Sequence, residues 1–113
     1  MKAATIDMVE NDNSRSITFD LQLDDTGYEL TGGSAIECHM VASTTGAVTV
    51  VTDCTADADQ VAYPGRVATV FAAADLVAGR YTLEWQVTDG AVVTTFPGVA
   101  AQRPVMSVRS EAN

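Results

Sequence analysis

A few side chains in this chain of 113 residues are of types that do chemistry. Cys38 and Cys54 are the only thiols, and His39 is the only imidazole. Asp24, Asp25 and Glu29 form one acidic cluster, and Asp53, Asp57 and Asp59 form another. Two thiols can join as a disulfide or, when buried, behave as small hydrophobes. The cysteines are not spaced as CxxC, and one histidine does not complete a Cys/His zinc set. Loop carboxylates can hold calcium, which takes about six to eight oxygens, but neither cluster has EF-hand spacing, so solvated loop charge is the simpler reading. His39 is the only candidate base for a Ser/His/Asp arrangement. The chain has no GxSxG, HExxH, P-loop or Gly-rich phosphate loop. The residue types therefore point away from an enzyme.

The elements that carry these residues read as strands. Ile17, Phe19, Leu21 and Leu23 alternate with Thr18, Asp20, Gln22 and Asp24, which is the period of a strand with one wet face. Residues 24–33 are dense in turn formers. Ile36, Cys38, Met40 and Ala42 then share one face, with Glu37, His39 and Val41 on the other. His39 thus falls in mid-strand on the outward face, as a wet histidine or an interface contact rather than a catalytic base. After a turn at 43–46, residues 47–56 continue as one strand with Val48, Val50, Thr52 and Cys54 on one face. A hairpin centred near Thr45–Gly46 sets Cys38 roughly opposite Cys54. That leaves either a disulfide or two free core thiols, and cytoplasmic synthesis favours the thiols.

Residues 57–65 form a second loop with a Pro64–Gly65 turn, 66–72 a short strand, and 73–79 a single helical turn. Tyr81, Leu83, Trp85 and Val87 then alternate with Thr82, Glu84, Gln86 and Thr88. Asp89–Gly90 predicts a two-residue hairpin with Val87 against Val92, Trp85 against Thr94 and Leu83 against Phe96. Residues 104–110 are the last strand, and 111–113 a frayed tail. Seven or eight short strands with close turns and no long helical pattern predict an all-β fold, a single Ig-like antiparallel β-sandwich spanning residues 1–113. Tyr81 fits the place where such sandwiches put a tyrosine bonded back to upstream backbone. Phe19, Tyr81, Leu83, Trp85 and Phe96 are the expected core anchors. An exposed Trp85 would offer a carbohydrate platform, but its phase with Leu83 and Val87 places it in the core. Tyr28 and Tyr63, on predicted loops, and His39 are the candidates for partner contacts.

Composition limits the partners. The formal net charge of −9 disfavours nucleic acid and anionic membrane surfaces. No apolar run approaches the ~18–20 residues of a membrane span. Residues 1–14 lack the apolar stretch of a secretory signal, which predicts synthesis in the cytoplasm.

Three stretches carry a resemblance. They are ELTGGSAIECHMVA (29–42), GRVATVFAAADLVAGRYTLEWQVTDG (65–90) and VVTTFPG (92–98). Leu30-Thr31-Gly32, His39-Met40, Ala78-Gly79-x-Tyr81 and Thr95-Phe96-Pro97 occur in the order and spacing of Ig-like sandwich domains in tailed-bacteriophage virions. The chain most resembles the N-terminal domain of the baseplate upper protein family. It departs from that family at Cys38, where a large residue such as Phe is common, and in the segment 99–113. The family's larger members carry further domains, so a receptor-binding role is not carried over. The resemblance implies a non-enzymatic structural module without a cofactor, made in the host cytoplasm and built into the virion. It would dock on other virion proteins of the baseplate, tail, neck or capsid, in many copies set by the particle's symmetry. The alternative is a carbohydrate-binding or adhesion module, which needs exposed aromatics in a row. The chain offers only three Phe, three Tyr and one Trp.

Overall fold

Period-two alternation gives each strand two faces, and the pairing of strands decides which of them is inward and what it meets. The computed structural model describes residues 5–10, 15–23, 26–30, 35–97 and 103–110. In chain order its strands are β1 (Thr5–Val9), β2 (Arg15–Asp20), β3 (Gln22–Leu23), β4 (Thr26–Gly27), β5 (Ala35–Ala42) and β6 (Val48–Val51). They continue as β7 (Cys54–Ala56), β8 (Arg66–Phe71), β9 (Gly79–Asp89), β10 (Val92–Phe96) and β11 (Val105–Arg109). A 3₁₀ turn at Ala73–Asp75, with the Ala72 amide donating to Asp75 Oδ2, stands where the helical turn is expected.

The protein is an all-β sandwich. One sheet runs β1-β11-β9-β5-β6, with β10 also on β9, and the other runs β2-β8-β7. A small β3–β4 hairpin lies apart. In the lettering of Ig domains, the three-stranded sheet corresponds to B-E-D and the larger one to G-F-C-C′. β9 is eleven residues long and takes two partners along one edge, β11 over its first half and β10 over its second. The Leu83 amide, between them, donates to the Pro104 carbonyl at 2.9 Å.

The strand segments outnumber the expected seven or eight because long strands are broken, and because β1 gives little sequence signal. Ile6 and Met8 are the only inward residues in its five-residue stretch. β1 pairs parallel to β11, Thr5 with Val105 through Val9 with Arg109, so the larger sheet is mixed rather than wholly antiparallel.

Two registers differ from expectation. The predicted single strand over 47–56 breaks at Thr52–Asp53, and its halves join different sheets. Cys38 is therefore opposite Val51, while Cys54 pairs with Thr69 of β8. Both thiols are free. The β9–β10 loop consists of Gly90 and Ala91 rather than Asp89 and Gly90, with Asp89 facing Val92. Gly90, at φ +63, supplies the positive φ at the first loop position, as a primed turn requires. The register moves by two residues, so every side chain keeps its face while partners change. Phe96 faces Trp85 and Thr94 faces Val87. Val92, expected inward against Val87, is exposed at the end of the sheet.

The core lies between the sheets. Leu83, Trp85 and Phe96 are fully buried, Tyr81 nearly so, and Phe19 is half-buried against them. The Phe19 and Trp85 rings stack with centroids 4.5 Å apart and planes within 11°. This B-to-F contact stands where antibody domains place a disulfide, and the cysteine sits instead on the C strand, where they place tryptophan. The Tyr81 hydroxyl donates to the Val77 carbonyl at 2.7 Å, which is a tyrosine corner.

Candidate interaction surface

The outer face of the larger sheet collects the polar half of the alternation. Glu37, His39 and Val41 of β5 stand there beside Val48 and Val50 of β6 and Thr82, Glu84 and Gln86 of β9. His39 lies between Val50 and Glu84, its Nε2 3.2 Å from Glu37 Oε1, with 16% of its side chain exposed. That contact is a hydrogen bond, and an ion pair when the imidazole carries a second proton. Arg103 Nη1 lies 3.8 Å from Glu84 Oε1, while its Nε donates to the Pro97 carbonyl. The neighbours of His39 are thus two carboxylates and aliphatic side chains.

Two of the edge strands of this sheet, β6 and β10, carry exposed valines. Among the described residues β6 pairs only with β5, and its Val48 and Val50 are about half exposed (53% and 47%). On the other side, β10 presents exposed Val92 and Val93. Exposed apolar edge strands are ready templates for another chain.

The loop at 57–65 is held by a residue the sequence does not single out. Gln60 Oε1 accepts from the amides of Leu30 (3.0 Å) and Gly65 (2.8 Å), and its Nε2 donates to the carbonyls of Asp57 (3.0 Å) and Arg66 (3.2 Å). That uses the amide's full capacity of two donors and two acceptors. Tyr63, at the tip, is 45% exposed, with the Arg66 guanidinium 4.2 Å from its ring centroid. Arg66 in turn pairs with Asp20 at 2.9 Å. Tyr63 is therefore a presented aromatic held in place by a cation. Tyr28, by contrast, is half-buried with its ring 5.0 Å from that of Phe96, so it belongs to the edge of the core.

The second acidic cluster is used for turns. Asp57 Oδ1 accepts from the Asp59 amide, and Asp59 Oδ1 from the Ala62 amide. Among the described residues, no three His, Cys, Asp or Glu side chains gather closely enough to hold a metal ion. Asp24, Asp25, Thr31, Gly32, Gly98 and the 111–113 tail lie outside the described residues. Among those described, no helix is long and apolar enough to cross a membrane.

Behind this surface, the buried Thr69 ties the sheets together. Its Oγ1 accepts from Trp85 Nε1 at 2.9 Å and lies 3.4 Å from Cys54 Sγ. Burial pushes the Cys38 thiol well above its ordinary pKa, helped by the nearby Cys54 and Glu84. Burial also raises Cys54, against the lowering effect of hydrogen bonds from Thr69 and the Cys38 backbone. Neither thiol has the electropositive, open setting of a reactive cysteine.

Compared with known proteins, the chain matches no protein-family model, and no curated protein aligns with it significantly.

Proposed function

We propose that this chain is a non-enzymatic structural module of a tailed-phage virion. It docks on neighbouring virion proteins through the outer face and free edges of its larger sheet. The observation that carries the docking mode is the edge strand β6. Val48 and Val50 are half exposed there, on the same face as His39 and Glu84, with nothing paired beyond them among the described residues. Strand addition or face-to-face packing at such an edge gains main-chain hydrogen bonds and buries the valines together. The virion setting comes from the ordered resemblance of residues 29–42, 65–90 and 92–98 to phage sandwich domains. The carbohydrate reading loses its best platform, because Trp85 is fully buried.

Co-expression with sets of baseplate, tail, neck and head proteins tests this proposal. The expected outcome is co-purification with one set, lost in a Val48→Lys/Val50→Lys variant that keeps its thermal midpoint. Glycan-array binding by the wild-type chain, or no association with any set, overturns it.

A further inference from the structure

Two thiols from different sheets lie near the point where the chain crosses the sandwich. Cys38 lies on β5, opposite Trp85 of β9 on one side and Val51 of β6 on the other. Cys54 opens β7 opposite Thr69 of β8. Cross-strand partners share a face, so Cys38 points inward with Trp85, and Cys54 points inward with Thr69. The Trp85–Thr69 hydrogen bond of 2.9 Å shows that these two pairs face each other. Cys54 Sγ lies 3.5 Å from the carbonyl oxygen of Val51, the residue opposite Cys38, and within hydrogen-bonding reach of the Cys38 backbone. Only Thr52 and Asp53 separate Val51 in one sheet from Cys54 in the other. Cα atoms of β5 and β7 come within 8 Å of each other. A disulfide needs Cα atoms about 4.4–6.8 Å apart.

We propose that Cys38 and Cys54 are a latent inter-sheet disulfide, open in the reduced chain and closed by exchange with a low-molecular-weight disulfide such as oxidised glutathione. Cys54 is half-buried and Cys38 fully buried, so Cys54 meets the oxidant first. Its thiolate attacks one sulfur of oxidised glutathione, breaks that S–S bond and expels one glutathione thiolate. The Cys38 thiolate then attacks the Cys54 sulfur of the mixed disulfide and displaces the second glutathione. The protein gives up two electrons and two protons, and both end on the two glutathione thiols. Burial holds both thiols protonated, so closure is slow near neutral pH and accelerates as pH rises.

The test is incubation of the folded chain with oxidised glutathione, followed by alkylation of remaining thiols and intact-mass measurement. The expected product is a monomer lighter by two hydrogens, with neither cysteine alkylated and one peptide pair joined through Cys38 and Cys54. It should melt on the order of 10 °C above the reduced chain, and dithiothreitol should restore the original midpoint. Three mass results overturn the proposal: a persistent single-glutathione adduct, a disulfide-linked dimer, or two free thiols after a time that fully oxidises the denatured chain. A bridged product that melts below the reduced chain also overturns it, because the bond would then be forcing the sheets.

Discussion

Thr69 shows how much one side chain can carry. It is a fully buried polar residue, and its hydroxyl accepts the indole N–H of Trp85 from the opposite sheet. Thr69→Val keeps the shape and leaves that buried donor without its acceptor, at an expected cost of about 1–3 kcal/mol. Urea unfolding measures the difference, and a change near zero would show that the hydrogen bond contributes nothing net. The core anchors were legible because apolar residues in phase announce their own burial, and Tyr81 because the turn before it fixes its corner. Thr69 and Gln60 were not. A polar residue within an alternating strand, or in a loop, carries no sign of which distant group it will satisfy. Tyr28 and Tyr63 looked alike as loop tyrosines, and only packing separates them, one against Phe96 and the other under Arg66.

At the scale of elements, the glycines at two turns differ in what constrains them. Gly90 sits at φ +63 with open space where a Cβ would be, so Gly90→Ala meets only backbone strain, about 1–2 kcal/mol. Gly65, at φ +83, has the same strain, and a Cβ there would run into the Leu21 carbonyl. The Leu21 amide donates to the Gly65 carbonyl at 2.8 Å, so neither backbone can retreat without losing that bond. Gly65→Ala is expected to cost more than Gly90→Ala, beyond about 3 kcal/mol. Thermal or urea unfolding of the two variants ranks them, and the reverse order would refute the close-approach argument. Alternation made most strands legible, β5 and β9 above all, but not β1, and it set Val48, Val50 and Val92 on inward faces where they are exposed. Sheet membership was not legible. Residues 47–56 alternate as one strand, yet the chain changes sheets at Thr52–Asp53, where the Asp53 carbonyl takes the Val70 amide of β8. Alternation reports a face but not which side is inward: Val48 and Val50 point outward on β6, while Cys54, in phase with them, points inward on β7 because the crossing to the facing sheet reverses the inward side.

Across the whole molecule, a formal charge of −9 spreads over a body of 43 × 26 × 26 Å with a radius of gyration of 13.9 Å. The fully buried Cys38 and half-buried Cys54 should give its stability an alkaline dependence. Both are raised in the folded state, so their contribution is fully present below the ordinary thiol value of 9.0. Above that value the unfolded chain ionises while the folded one stays protonated, and stability falls as pH rises. The thermal midpoint under reducing conditions should drop between about pH 8 and pH 10, more steeply in the wild type than in a Cys38→Ala variant. Equal slopes would mean that the thiols play no part.

The parallel pairing of β1 with β11 has a mechanical consequence. The chain enters this ladder at Thr5 and leaves it at Arg109, at opposite ends of the paired strands. Tension applied between those two points runs along the strands, so it loads the ladder's hydrogen bonds together rather than peeling them in turn. An antiparallel closing pair would bring both points to the same end and open like a zip. In this sandwich the strand hardest to see in the sequence is half of the clasp that would resist a pull.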